Sequence, residues 1–276
     1  MYRMWNNFKT TLLLSGLMGL CLAVGYLVGG RAALLPAFAI GAGMNLLAYF
    51  FSDKIALATM RAIEIGPDDD PALWQIVRTL AGRAGLPMPR VYISPAPAPN
   101  AFATGRNPKH SAVCVTQGLR QMLSRDELEG VIAHELSHIQ HRDILISTIA
   151  AVIAGAISWL TYLVFWGDSD RRSNPLVALV LMILAPLAAA LLQMAISRSR
   201  EFEADRRGAE LVGSGRGLAQ ALQKLDAMSR RIPLRVPDAQ SNMFIVAPLT
   251  GSDMAKLFMT HPPTNDRIER LLRMGR

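Results

Sequence analysis

The charged residues of this chain are spaced so unevenly that they dictate its organisation before any motif is read. Lys9 and Arg31 enclose 21 uncharged residues, and Arg31 and Asp53 enclose another 21. Asp143 to Asp168 encloses 24, and Arg172 to Arg198 encloses 25. A helix needs about 20 apolar residues to cross the hydrocarbon core of a bilayer, so each window is long enough to span it. The first, TLLLSGLMGLCLAVGYLVGG, exceeds the apolar core of a secretory signal and is followed at once by the second. Spans one and two are expected to form a hairpin turning at Gly29-Gly30-Arg31. Spans three and four are expected to form another, across the polar linker Gly167 to Asn174, with Pro186 kinking the last helix.

Composition points the same way. Of 276 residues, 51% are apolar and only 18% charged, against about 25% charged in ordinary soluble domains. Intrinsic disorder and a wholly soluble enzyme are both excluded. Two cysteines, Cys21 and Cys114, cannot make a disulfide framework. A net charge of +8 suits either nucleic acid or an anionic membrane surface, and its placement decides between them. Residues 1–11 hold two Lys/Arg, 52–143 ten and 197–276 fourteen, whereas the two short turns hold three. Lys and Arg stay on the cytoplasmic side of a membrane. The N-terminus and both polar blocks are therefore expected in the cytoplasm, meeting on one face of a lipid bilayer, with no nucleic-acid partner. The expected organisation is a membrane hairpin (1–52), a first cytoplasmic part (53–143), a second hairpin (144–197) and a second cytoplasmic part (198–276).

Within the polar blocks, Asp68-Asp69-Asp70 before Pro71 predicts a capped helix reaching Leu80. A proline-rich loop follows, and Val91–Ile93, Ala101–Thr104 and Ala112–Val115 read as short strands. Ser124 followed by Glu127 forms a capping box, which starts a helix with nothing to stop it before residue 143. A charged amphipathic helix is expected over Asp266 to Met274, with Arg267 available to an acidic group. The fold class is therefore mainly α with a small β-sheet, on a four-helix transmembrane segment.

The capped helix carries Val131-Ile132-Ala133-His134-Glu135-Leu136-Ser137-His138. Histidines four apart on a helix differ by about 40° in azimuth, so both imidazoles can meet one Zn²⁺. Glu135 stands to the side of the pair, placed to act on water as a general base rather than to bind metal. A catalytic zinc needs a third protein ligand. Glu201-Phe202-Glu203-Ala204-Asp205 directly follows span four, where the chain returns to the same membrane face. Glu201 and Asp205 share a helix face, while Glu203 points about 200° away. Glu201 is therefore taken as the ligand and Asp205 as the carboxylate orienting a ligating histidine. Glu203 is read as solvated or salt-bridged, His110 as a turn residue, and His141 is given no role.

HELSH, a membrane hairpin and then SRSREFEAD together resemble the HtpX-type membrane zinc metalloproteases, relatives of the prenyl-protein CAAX endopeptidases. The resemblance runs over nearly the whole chain, taking in Asn100-Ala101-Phe102-Ala103-Thr104-Gly105 and Thr260-His261-Pro262-Pro263-Thr264. It implies that Glu201 is the third zinc ligand, with one Zn²⁺ per chain. It further implies that Asn100, Ala101, Phe102 and Ala103 lie along the cleft and pair with an extended substrate, and that His261 stabilises the transition state. The activity it implies is a stress-linked quality-control endopeptidase of a bacterial inner membrane, acting on unfolded or membrane-protein polypeptides. Two alternatives share the metal motif. A CAAX-type prenyl-protein endopeptidase normally has more spans around a chamber. A non-catalytic zinc-binding scaffold would need a fourth protein ligand, and neither cysteine is near.

Overall fold

The computed structural model describes residues 2–141, 144, 145, 149, 198–229 and 263–274. The second hairpin expected over 144–197 lies outside the described residues apart from 144, 145 and 149, as does His261. Helices α1 (Tyr2–Gly29) and α2 (Leu34–Thr59) are joined by a 3-10 turn at Gly30–Ala33, where the Gly29-Gly30-Arg31 signal puts it. Small residues let the pair approach closely: a Cβ on Gly25 would lie 2.4 Å from the Cβ of Ala37. The Asn45 amide donates to the Leu14 carbonyl at 3.1 Å, sealing a polar group between the helices. Among the described residues, one continuous helix, Gly30–Thr59, is long and apolar enough to cross a membrane. Its Leu35, Phe38, Ile40, Leu46 and Leu47 are exposed.

Helix α2 does not end where its uncharged window ends. It runs past Asp53 and Lys54 to Thr59 and delivers Ala56 and Leu57 to a four-stranded sheet. The strands are β1 (Ile63–Ile65), β2 (Arg90–Ser94), β3 (Ala101–Asn107) and β4 (His110–Thr116), in the order β1-β2-β4-β3. Strand β4 runs parallel to β2 and antiparallel to β3, so β3 is an edge. Side chains alternate across a strand. Even-numbered Tyr92, Phe102, Ala112 and Cys114 pack on the end of α2, whereas odd-numbered Val91, Ala101, Val113 and Val115 join the main core on the other face. Both faces are covered, which is why β4 reads as a continuous apolar run rather than an alternating one. Burial pushes the Cys114 thiol up to about 12 and leaves it a packing group.

Five helices complete the domain: α3 (Pro71–Arg83), α4 (Gln117–Met122), α5 (Arg125–His141), α6 (Arg198–Val212) and α7 (Arg216–Ser229); α8 (Thr264–Arg273) closes it. Asp70 caps α3 by accepting from the Leu73 amide at 3.0 Å. Arg120 also bonds the Asp70 carboxylate and holds its pKa below the ordinary value. Strand β1 and helix α4 have no sequence signal of their own, at three and six residues. The core of Leu73, Leu80, Leu128, Ile132, Leu136 and Leu222, with its neighbours, clamps α5 between the sheet and α7.

The capping box forms as its spacing requires. The Ser124 amide donates to Glu127 Oε2 at 2.8 Å, and the Glu127 amide donates to Ser124 Oγ at 3.4 Å. Lys224 of α7 adds a bond to the same Glu127 oxygen at 2.7 Å. Ser124→Ala should cost about 1 kcal/mol and lower the melting temperature of the detergent-purified protein by about 2–4 °C. Glu127→Ala should cost more, because it also strips Lys224 of its partner. Equal melting curves for all three proteins would show that the box contributes nothing.

Candidate metal centre

Helix α5 is buried along most of its length, and the two HELSH histidines stack one turn apart with ring centroids 4.7 Å apart. His134 is buried and His138 half-buried, so one side of the pair stays open. Helix α6 packs on α5 with a buried stripe at Glu201, Ala204, Asp205, Gly208 and Ala209, the spacing of a single helix face. Gly208 permits the approach: a Cβ there would lie 3.0 Å from the His134 amide nitrogen.

The structure brings His134, His138 and Glu201 together. The two Nε2 atoms are 3.1 Å apart, and the Glu201 carboxylate oxygens lie 3.6 Å from His134 Nε2 and 3.7 Å from His138 Nε2. Zinc bonds of about 2.0–2.1 Å at tetrahedral angles place ligand atoms about 3.3 Å apart. Each imidazole Nε2 thus faces a different Glu201 oxygen, and one donor atom from each of the three residues lies within 4.8 Å of the others, a set that could hold a tetrahedral cation with one position left for water or substrate. Glu203 sits apart from this group and bonds Arg206 at 2.5 Å, with His141 Nε2 3.9 Å away.

Behind these three residues lies a buried layer of charge. His134 Nδ1 is 2.9 Å from Asp205 Oδ1. Arg267 of α8, 1% exposed, grips that carboxylate in fork geometry, Nε to Oδ2 at 2.8 Å and Nη2 to Oδ1 at 2.7 Å, while its Nη1 is 3.7 Å from Glu201. Burial opposes charge on all three groups, and their mutual attraction overcomes it. The His134 pKa is held up at about 9 by the Asp205 and Glu201 carboxylates, and Asp205 is held down at about 2 chiefly by Arg267. The arrangement orients the imidazole, with Nδ1 turned to Asp205 and Nε2 to the shared centre. Sequence spacing alone does not show this reach of Arg267. Its signal is an arginine at 267, four residues before the buried Leu271 and on the same helix face.

Glu135, beside these groups on α5, reaches the sheet edge. Its Oε2 accepts from the Ala103 amide of β3 at 2.8 Å, and burial raises its pKa above the ordinary value despite the neighbouring histidines. Of the Asn100–Ala103 segment, Asn100 is anchored to Thr116 through its amide (2.8 Å) and carbonyl (2.9 Å). Phe102 is buried on the α2 face of the sheet. Ala103 is half-buried, with its amide turned outward at the edge. Because backbone groups alternate along an antiparallel strand, the backbone groups of Ala101 and Ala103 point away from β4, Ala101 being buried and Ala103 half-buried. His261 precedes α8 but lies outside the described residues.

Comparison with known proteins places this geometry. Residues 67–274 match peptidase family M48. A protease HtpX homolog of Pelotomaculum thermopropionicum is 49% identical over 279 residues, covering 98% of this chain and 99% of its own. One from Syntrophotalea carbinolica is 51% identical over 280 residues, with 98% and 99% covered, and one from Ralstonia pickettii 49% over 279 residues, with 99% and 98%. The crystal structure of S. mikatae Ste24p superposes with a TM-score of 0.52 at 20% identity, over 98% of this chain and 66% of that one. That likeness is one of fold.

In the metal-free protein His134 keeps its proton up to about pH 9, and a metal ion must displace it. Apparent zinc affinity should therefore rise about tenfold per pH unit between pH 7 and 9 and then level off, one proton being exchanged per ion. Asp205→Asn should move the levelling point to lower pH and weaken the plateau by about 10- to 100-fold. Competition with a calibrated chelator across this range measures both; a flat wild-type profile would contradict the protonated His134.

Proposed function

The chain belongs to peptidase family M48, and from that premise we propose that it is a zinc-dependent endopeptidase of a bacterial inner membrane, with its site on the cytoplasmic side. Its substrates are unfolded polypeptides and exposed segments of damaged membrane proteins. The observation that carries this reading is the meeting of His134 and His138 from α5 with Glu201 from α6, beside a glutamate bonded to the edge strand β3.

His134, His138 and Glu201 would hold the ion. Zinc bound there supplies Lewis-acid chemistry, polarising a carbonyl and making water acidic enough to lose a proton near neutral pH. Glu135 accepts that proton as water attacks the scissile carbonyl and returns it to the leaving amine. Its raised pKa suits a group that must both take and give a proton. The outward carbonyl of Ala103 on the β3 edge adds an extended peptide to the sheet through main-chain hydrogen bonding, so recognition is tolerant of side chains. Such tolerance suits a quality-control protease. His261 is assigned to the oxyanion of the tetrahedral intermediate. Asp205 and Arg267 position His134 and balance its charge.

Glu135→Gln should retain one zinc per chain and lose casein cleavage by about 10²-fold or more. Glu201→Ala should lose the metal as well, whereas Glu203→Ala should keep both metal and activity. Metal analysis alongside a casein assay on detergent-purified proteins distinguishes these outcomes. Parental cleavage by the Glu135→Gln protein would remove the mechanism, and full zinc in Glu201→Ala the ligand assignment.

A further inference from the structure

Two contacts fix how β3 stands relative to the membrane helix. Phe102 packs with the Ala56 and Leu57 turn of α2. Four residues on, the Arg106 guanidinium lies over the Phe50 ring, 5.5 Å from its centroid. Arg106 sits in a bulge between Gly105 and Asn107, so Phe102 to Arg106 covers at most about 13 Å of strand, and Leu57 back to Phe50 covers about 10 Å of helix. The agreement means that β3 descends alongside α2, toward the apolar span, as the chain runs from Ala101 to Asn107.

The height of the bilayer is readable from α2 itself. Arg31 and Asp53 are 22 positions apart, about 33 Å of helix, which matches a hydrocarbon core of about 30 Å. Tyr49, Phe50 and Phe51 form an aromatic step at its upper end. Tyr49 and Phe50 stack edge-on at 5.0 Å, and Lys54 lies 5.1 Å from the Phe51 centroid. Tyr49, with Lys54 just beyond it, marks the interfacial layer. Arg106 meets Phe50 at that level, and the β3–β4 turn carries Lys109, exposed, one turn further along. The basic end of the strand is thus at headgroup depth, where anionic lipid favours it.

Ala103, whose amide binds the Glu135 carboxylate, is three residues above Arg106, or about 10 Å of extended chain. We infer that this protein cuts membrane-tethered polypeptides at a set height above the bilayer, about three to four extended residues from the end of the substrate's own transmembrane segment, with Arg106 on Phe50 holding the β3 edge at that height. The inference rests on the endopeptidase reading above and adds to it a spacing rule. A chain emerging from the interface beside Phe50 pairs along β3 and reaches Glu135 after that many residues. A shorter juxtamembrane stretch cannot reach it.

The test uses the full-length protein in liposomes of phosphatidylethanolamine and phosphatidylglycerol. The substrate is a single transmembrane helix fused to an unstructured casein segment, with cut sites mapped by mass spectrometry. The expected membrane-proximal cut lies about four residues beyond the helix end, with none within two residues of it. Inserting three or six residues between helix and casein should leave the cut at the same distance from the helix and so shift it along the casein sequence. Arg106→Glu should spread the tethered cut over a wider window, with free-casein cleavage by the same variant as the reference for any general loss along β3. Cuts that follow the casein sequence regardless of insertion, or cleavage of free casein with the tethered chain spared, overturn the spacing rule and leave the endopeptidase reading intact. A sharp, unmoved window in Arg106→Glu overturns the role of Arg106. Loss of cleavage on free casein as well, against a Glu135→Gln control, sinks the endopeptidase reading and the rule together.

Discussion

The buried pairing of Asp205 with His134 and Arg267 is the interaction on which the rest of the site depends. A carboxylate in the protein interior is costly unless it is paired and fully hydrogen-bonded. Asp205 meets that demand with a fork from Arg267 and a bond from His134 Nδ1. The three residues come from α6, α8 and α5, so satisfying one charge draws three distant parts of the chain to a point. Once Asp205 is placed, helical geometry puts Glu201 one turn away on the same face, and the two imidazole Nε2 atoms meet its carboxylate. The layer behind the ligands thus determines the layer in front.

The small sheet is the other organising element, because it has two buried faces with different partners. One face lies on α5 and the main core, and the other rests on the last turns of α2. A helix that continues from an apolar span into a sheet contact connects the membrane-directed part of the protein rigidly to the edge strand beside Glu135. Arg90 reinforces this junction by pairing with Asp53 of α2 at 3.2 Å, and the Tyr92 hydroxyl donates to Glu64 of β1 at 2.7 Å. At the opposite corner Arg270 of α8 lies over the Phe202 ring at 3.7 Å, fastening the closing helix to α6. The site is held between these two attachments.

Much of this was readable in the residues because the signals are local. The hairpin turn at Gly30, the Asp70 cap, the Ser124–Glu127 box and the one-turn spacing of His134 and His138 each depend on neighbours within four positions. What was not readable depended on partners far along the chain. The Ala103 amide that meets Glu135 is a backbone group, with no sequence signature. Phe102 reads as one of four cleft residues, yet strand alternation sends its side chain to the α2 face. The extension of α2 to Thr59 was hidden because Asp53 and Lys54 end the uncharged window, although charge at a membrane border does not end a helix.

The sequence by itself therefore determined the chemistry available: two imidazoles and a base on one capped helix, a carboxylate pair on another, and an apolar segment long enough to cross a bilayer. These are consequences of helical period and of burial, which act over a few residues. Only the tertiary structure decided that Arg267 grips Asp205 from another helix, that the Ala103 amide meets Glu135, and how far the β3 edge stands from the membrane helix. Those outcomes follow from close packing and from the need to compensate charge away from water. Both act between elements that the chain separates by tens of residues, so no local pattern encodes them.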